Sequence, residues 1–335
     1  MDRKDYIKAL SQHSLPSVLL FEGEEEHMKQ DALSSLRKAV LPEGLEQMNE
    51  LVLEDPSADQ LIAAAETLPF MSDTRLLVIR DMPALMGRAE ADERLIAYLP
   101  NVPSSTVLLF YCTGKPDGRK KIYTTVKKMG GVVTFSPLRG SELTHYVTSS
   151  FSHLGKECDE RTADYLIFTV GSDTGLLQTE IQKLADYAAD EPFIKASDIT
   201  ALATPSTECT VFQMVDAVVS GQSSKALRLL RNQLLSGTDR MSILAMLLRQ
   251  YRLLQHIKIM QYEKKSGDYI RASLGVPSFA VEQYFRQAAS YTGGQIKKAV
   301  SACFDTEYAI KSGRIQPEGS LETLILTLLT LRIKE

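Results

Sequence analysis

The chain has 335 residues, more than one ordinary domain, and its 44% hydrophobic and 24% charged content is typical of a globular protein. A net charge of −4 argues against a protein that coats nucleic acid by bulk charge alone, while leaving a local basic surface open. No run approaches the roughly 18 consecutive apolar residues of a membrane helix, and the N-terminal residues lack the apolar segment of a signal peptide. We therefore expect a cytoplasmic protein with no membrane partner and with free cysteine thiols.

Short apolar segments alternate with helical patterns over residues 1–139. Between the first two of these segments, Met28, Leu33, Leu36 and Val40 recur at nearly helical spacing. The sequence Ser57-Ala58-Asp59-Gln60 is a capping box that predicts a helix through about Glu66. Such alternation predicts a parallel sheet covered by helices on both faces. The predicted strands are 17–21, 50–53, 75–80, 106–111 and 132–135.

After Pro137 the pattern becomes helical. We predict three domains: an α/β domain over 1–139, a small helical domain over 140–206 that ends in a linker at 203–206, and a helical bundle over 207–335. The last predicted helix, Leu321 to Ile333, is apolar around much of its circumference, which indicates burial on several sides. Its apolar surface belongs either to the core of the bundle or to an oligomer contact.

The segment after the first strand is where a nucleotide-binding protein of this pattern would have its phosphate-binding loop. A phosphate-binding loop needs G-x-x-x-x-G-K-[ST], but here the chain reads Gly23-Glu24-Glu25-Glu26, and its carboxylates would repel a triphosphate. The strand 75–80 ends at Asp81, and Met82 follows where an ATPase places a catalytic glutamate. Other catalytic motifs and zinc-ligand spacings do not occur, so we predict no catalytic residue, no metal and no cofactor.

Six local patterns follow one another along nearly the whole chain. They are LLFEGEE at 19–25, LPFM at 68–71, GKPDGRKK at 114–121, VGSD at 170–173, VFQMVDA at 211–217 and IKSG at 310–313. In this joint order, which is fairly specific, they resemble the delta subunit family of the bacterial DNA polymerase III clamp loader.

The resemblance implies a P-loop AAA+-like α/β domain with a degenerate nucleotide loop, a small helical lid and a C-terminal helical collar. It implies a non-catalytic subunit of the polymerase holoenzyme, which binds the beta sliding clamp and holds one ring interface open so that the complex can load it onto primed DNA. The implied partners are the clamp, the gamma/tau and delta-prime subunits, and primer–template DNA as part of the complex. ATP hydrolysis would belong to sister subunits.

The resemblance also assigns clamp binding to Leu68, Pro69, Phe70 and Met71. The family commonly has a Leu-Phe pair here, and this chain has Pro69 at the first position, so Leu68 or Met71 is expected to share the contact with Phe70. Independently, Pro69 favours the end of a helix, which places the apolar cluster on a surface connection. The alternative is that these side chains pack beneath the helix–strand junction.

A basic stretch supplies candidate contacts to DNA phosphates. Its residues are Lys115, Arg119, Lys120 and Lys121, and the alternative is a solvated helix face. Two other functions stay open at this point: a divergent AAA+ ATPase with an unusual loop, and a nucleic-acid-binding module unrelated to clamps.

Overall fold

Five parallel strands form the sheet of the first part of the chain. The computed structural model describes residues 1–274 and 278–332. The sheet has the order β2-β3-β4-β1-β5, and all four neighbouring pairs are parallel. All five predicted strands are confirmed. The strands are β1 (Val18–Glu22), β2 (Glu50–Glu54), β3 (Arg75–Arg80), β4 (Thr106–Tyr111) and β5 (Val132–Thr134).

Helices cover both faces of this sheet. On one face the Tyr6 ring meets the Phe21 ring edge-on at 5.2 Å. On the other face Leu61 and Ile122 join the buried cluster that contains Leu20. The predicted helix before the second strand and the capped helix ending at Glu66 are confirmed. The helices are α1 (Arg3–Ser11), α2 (Glu26–Val40), α3 (Glu46–Asn49), α4 (Ala58–Glu66), α5 (Glu93–Tyr98) and α6 (Lys121–Lys128).

The chain divides into two units, Met1–Leu138 and Arg139–Glu335. In its described residues the second unit is helical. Its helices are α7 (Ser141–His153), α8 (Glu160–Val170), α9 (Thr174–Ala188), α10 (Ala196–Leu202), α11 (Thr207–Val219), α12 (Ser223–Leu235), α13 (Arg240–Tyr262), α14 (Gly267–Leu274), α15 (Ser278–Ala289), α16 (Gly293–Lys311) and α17 (Ser320–Leu331).

The predicted boundary at residue 206 falls inside the second unit. Ser206 accepts a hydrogen bond from the Cys209 amide and so caps α11, as expected at the end of a linker. Contacts nevertheless cross this point, because the Phe168 and Phe212 rings meet edge-on at 5.1 Å and the Ser206 amide donates to the Thr169 carbonyl (2.7 Å). The division into 140–206 and 207–335 stays a prediction.

Buried polar pairs lie within the helical core. The Tyr251 and Tyr291 hydroxyls are 3.0 Å apart, and Gln250 donates to Gln287 (2.8 Å). In α17, Leu321, Leu324, Ile325 and Leu328 are buried, whereas Leu326 is 49% exposed, so the apolar surface of this helix is only partly covered. The predicted end of this helix at Ile333 lies outside the described residues.

Candidate functional site

The segment between α4 and β3 is a loop because the helix has clear signals at both ends. At its start the Gln60 amide donates to the Ser57 hydroxyl (3.3 Å) and the Ser57 amide donates to Gln60 Oε1 (2.9 Å), which completes the capping box. After its end Thr67 is extended, and Pro69 disfavours a helical conformation at the residue before it. The chain therefore crosses to β3 as a connection, the kind of segment that normally lies on the surface.

The apolar side chains of this connection face solvent. Leu68 is 80% exposed, Phe70 49% and Met71 79%, and Pro69 is half-buried. The structure therefore excludes the alternative that Leu68 and Met71 pack beneath the junction. Three large apolar side chains exposed within four residues form the kind of patch that marks a partner-binding surface. We call residues 68–71 the apolar protrusion.

Hydrogen bonds hold the backbone within the protrusion and just after it. The fully buried side chain of Asn49, at the end of α3, accepts from the Phe70 amide (2.7 Å) and donates to the carbonyls of Phe70 (3.0 Å) and Leu45 (3.2 Å). Further along, the Ser72 hydroxyl donates to the Thr74 carbonyl (3.0 Å) and accepts from the Thr74 amide (3.3 Å). The loop is therefore anchored at Phe70, within the protrusion, and at Ser72 and Thr74 after it.

Met71 lies in the left-handed region of backbone conformation, with φ of 47°. This conformation is uncommon for residues other than glycine and costs roughly 1–2 kcal/mol. Strained conformations persist where their surroundings hold them, and Phe70 and Ser72 are both hydrogen-bonded here. The strain is consistent with a loop whose shape is fixed by its anchors.

The loop after β1 packs closely against the backbone of Phe135 at Gly23. Gly23 has φ of +116°, and a Cβ at this position would lie 2.1 Å from the Phe135 carbonyl oxygen, so only glycine fits. That carbonyl accepts from the Glu25 amide (3.2 Å), and the Glu26 amide donates to the Glu24 carbonyl (3.0 Å). In a phosphate-binding loop such amides point at the phosphates. Here these two amides donate hydrogen bonds to carbonyls of the chain itself.

An internal ion pair lies at the start of α2. The Glu26 carboxylate pairs with Lys29 (Nζ–Oε2, 2.8 Å) and accepts a hydrogen bond from the Tyr111 hydroxyl. Lys29 is fully buried, donates to the Cys112 carbonyl (2.7 Å) at the end of β4, and lies 5.4 Å from the centre of the Tyr111 ring. The N-terminus of a helix favours anions such as phosphate, and here the chain supplies its own carboxylate.

The pKa values of this cluster follow from its contacts. Burial alone would raise the pKa of Glu26, but the hydrogen bonds from Lys29 and Tyr111 outweigh burial and lower it from its ordinary value. Burial raises the pKa of Tyr111, and the hydrogen bond to Glu26 raises it further. Glu26 is therefore a carboxylate and Tyr111 a neutral donor at neutral pH.

Asp81, at the end of β3, is engaged by a neighbouring strand end. Its two carboxylate oxygens accept from the amide and the hydroxyl of Thr113, each at 2.8 Å. The next residue, Met82, is buried. Both carboxylate oxygens of Asp81 thus accept hydrogen bonds from Thr113, which links the end of β3 to the segment after β4.

Most of the candidate DNA-binding cations pair with carboxylates of their own unit. Arg119 donates twice to Asp117 (2.9 Å for both bonds), Lys120 pairs with Glu90 (2.5 Å) and Lys121 with Glu93 (2.5 Å). The hydrogen bonds from Arg119 lower the pKa of Asp117 to about 2. Lys115 is exposed.

Lys115, Arg119 and Lys120 come just before α6, and Lys121 is its first residue. The sequence therefore identified a basic surface but not the carboxylates paired with it. Asn49 and Lys29 were also missed. A lysine within the apolar stripe of a helix was the available signal for Lys29.

Neither a metal-binding cluster nor a membrane-spanning helix occurs among the residues that the structure describes. In residues 1–274 and 278–332 no group of three or more histidine, cysteine, aspartate or glutamate side chains is arranged to hold a metal ion. Over the same residues, no helix combines the length and apolar character needed to cross a membrane.

Comparison with known proteins gives a consistent result. Residues 19–136 match the family model of the DNA polymerase III delta subunit, and residues 208–328 match the model of the C-terminal domain of that subunit. The DNA polymerase III subunit delta of Bacillus subtilis is 25% identical over 334 residues, which cover 97% of this chain and 96% of that protein. A probable DNA polymerase III subunit delta of Aquifex aeolicus is 25% identical over 280 residues, 80% of this chain and 78% of that protein.

A solved structure has the same fold. The Bacillus subtilis DNA clamp loader delta protein superposes with a TM-score of 0.59 at 24% identity, covering 98% of this chain and 99% of that one. The predicted fold class, an AAA+-like parallel α/β unit followed by an all-α region, is confirmed. The two family models together match most of the chain, in the order that the sequence resemblance indicated. The chain therefore belongs to the family of DNA polymerase III delta subunits.

Proposed function

We propose that this clamp-loader subunit binds the beta sliding clamp through the apolar protrusion and holds one interface of the ring open without hydrolysing ATP itself. In the assembled loader it would join the gamma/tau and delta-prime subunits and meet primer–template DNA. The observation that carries the proposal is the exposure of Leu68, Phe70 and Met71 on a loop whose backbone is hydrogen-bonded at Phe70 and at Ser72.

The energetics of the protrusion favour a partner with an apolar pocket. Fully burying a leucine, phenylalanine or methionine side chain contributes about 1.5–3 kcal/mol. Leu68 and Met71 are mostly exposed and Phe70 is half exposed, so much of this free energy remains available for binding. The Leu68 and Met71 side chains are flexible enough to adapt to the shape of a pocket, and the unbranched methionine is the more flexible of the two. Anchors of this kind dominate the affinity of an interface.

The loop after β1 supports the absence of ATPase activity. The amides of Glu25 and Glu26 are bonded within the chain, and the Glu26–Lys29 ion pair lies at the helix N-terminus. A triphosphate would have to break these contacts before it could bind. The competing candidate, a divergent ATPase, requires that rearrangement.

The experiment measures binding of the full-length chain to its cognate sliding clamp, immobilised on a sensor surface, for wild type and for Phe70→Ala. We expect the variant to bind roughly 30-fold or more weakly, because the phenylalanine side chain loses its burial in the clamp. The matched control is Ile7→Ala: Ile7 is also half exposed, and it lies on α1, which packs against β1 and β5, at the opposite end of the strand order from β2. Circular dichroism checks that both variants are folded.

Wild-type binding should be the same with and without Mg²⁺-ATP. Equal clamp binding by wild type and Phe70→Ala would remove Phe70 as an anchor, and no binding by wild type would refute the proposed function. Clamp binding by the isolated chain that required ATP would favour the divergent ATPase instead.

A further inference from the structure

Asn49 is a fully buried polar residue whose hydrogen bonds converge on the protrusion. Its amide oxygen accepts from the Phe70 amide (2.7 Å), and its amide nitrogen donates to the Phe70 carbonyl (3.0 Å). One side chain thereby satisfies both backbone groups of the same residue, as a neighbouring strand would. The amide nitrogen also donates to the Leu45 carbonyl (3.2 Å), which ties the side chain to its own helix.

These bonds hold the backbone at Phe70, where the side chains give it little support. Phe70 is half exposed, and its neighbours Leu68 and Met71 are mostly exposed, so their side chains contribute little to holding the backbone. Each backbone residue that is ordered only on binding subtracts from the affinity. A loop already held in one conformation avoids that loss.

We propose that Asn49 is a positioning residue for clamp binding, which orders the backbone of Phe70 before the clamp arrives. This inference rests on the proposed function of the protrusion. It assigns to a buried residue outside the protrusion a share of the affinity, which Asn49 contributes through Phe70 and without contact with the partner.

The first test is a double-mutant cycle on clamp affinity in the full-length chain. We expect Asn49→Ala to weaken clamp binding about 5- to 30-fold, the equivalent of ordering one backbone residue. In the Phe70→Ala background the same change should weaken binding at most about twofold, because the residue that Asn49 positions has lost its side chain. A general loss of stability would instead act equally in both backgrounds.

The control variant is Tyr6→Phe. It removes another buried hydrogen bond of the same unit, from the Tyr6 hydroxyl to the Ala32 carbonyl (3.0 Å), far along the sheet from the protrusion. We expect it to lower stability while leaving clamp affinity unchanged. A drop in clamp affinity equal to that of Asn49→Ala would show that stability alone explains the effect.

The second test needs no clamp and no variant. Amide hydrogen exchange of the wild-type chain should show the Phe70 N–H exchanging at least about tenfold more slowly than in an unstructured peptide, because it is bonded to Asn49. Exchange at the peptide rate would overturn the inference. A wild-type chain that fails to bind the clamp would refute the proposed function as well, whereas clamp binding that Asn49→Ala leaves unchanged would refute this inference alone.

Discussion

The ion pair at the start of α2 yields a quantitative prediction for Glu26→Gln. Glutamine keeps the size of the side chain but removes the negative charge beside the buried ammonium of Lys29, whose other hydrogen bond goes to the Cys112 carbonyl. The Tyr111 hydroxyl would also lose its charged acceptor. Because Lys29 is fully buried, its ammonium group depends on these internal partners for compensation of its charge.

We expect this change to lower the free energy of opening the first unit by about 2 kcal/mol at neutral pH. Hydrogen bonds to charged groups contribute about 1.5–3 kcal/mol. The lower part of that range applies because the Glu26 side chain is 47% exposed and partly screened by solvent. Hydrogen–deuterium exchange of peptides from β1 and β4 reports this unit separately from the helical one, and exchange should become roughly 30-fold faster.

The dependence on pH gives the effect a sign that can be checked. The pKa of Glu26 in the folded state is below its ordinary value of 4.5. The stabilisation by the Glu26 carboxylate is therefore fully present above the unfolded-state pKa, and it is lost as the pH falls through the folded-state pKa. The difference between wild type and Glu26→Gln should therefore be largest at pH 6–8 and shrink below about pH 4.5. Glu24→Gln is the matched control, since Glu24 is an exposed carboxylate two residues away. Equal exchange in the Glu26 and Glu24 variants would refute the stabilising role of the ion pair.

Two further predictions concern the protrusion and the basic surface. Met71→Gly should weaken clamp binding, because the variant lacks the exposed side chain. In urea denaturation the free energy of unfolding should be unchanged or raised by up to about 1 kcal/mol, because glycine adopts the left-handed conformation without strain. A clear loss of stability would show that this conformation is not strained. In the assembled loader, the double variant Lys120→Ala with Lys121→Ala should reduce the slope of log affinity for primer–template DNA against log salt concentration by up to about 2. The double variant Glu90→Gln with Glu93→Gln frees both lysines and should strengthen that binding. An unchanged slope in the lysine variant would remove both lysines as DNA contacts.

The sheet was predictable from the sequence because parallel strands covered on both faces are continuous apolar runs. The run Arg75–Arg80 is buried at five of its six residues, and the predicted bounds of this strand and of Thr106–Tyr111 agree with the structure. The helix ending at Glu66 was predictable because its capping box is local in sequence. The helix Arg3–Ser11 was missed, and it buries only Tyr6, so its apolar pattern carries little signal.

The contacts that shape the loop after β1 and the protrusion were not predictable, because their partners are distant in sequence. Asn49 bonds to a residue 21 positions away and Lys29 to a carbonyl 83 positions away. A lone asparagine before a strand gives no sign of which backbone it will hold. The protrusion itself was identified because its signals, a proline after a helix and adjacent apolar residues, are local.

The structure also changes the physical reason for the degenerate nucleotide loop. The sequence argument combined the missing G-K-[ST] with repulsion by acidic residues. In the structure Glu26 is paired with Lys29, and the Glu22 side chain accepts hydrogen bonds from Thr134 and Tyr123. Repulsion is therefore weaker than the number of carboxylates implies. The closed backbone at Gly23 and the internal ion pair are the stronger obstacles, because a nucleotide would have to displace contacts that already satisfy the chain.

The same principle governs both loops of the first unit. In a phosphate-binding loop the backbone amides bind phosphates, whereas here a lysine and a carboxylate of the chain are bonded to each other beside the loop. At the sheet edge, Asn49 orders the protrusion in the same way. Both sets of hydrogen bonds are internal and are present without any ligand. The presentation of Phe70 should accordingly be independent of nucleotide, because the bonds that hold its backbone lie within the chain.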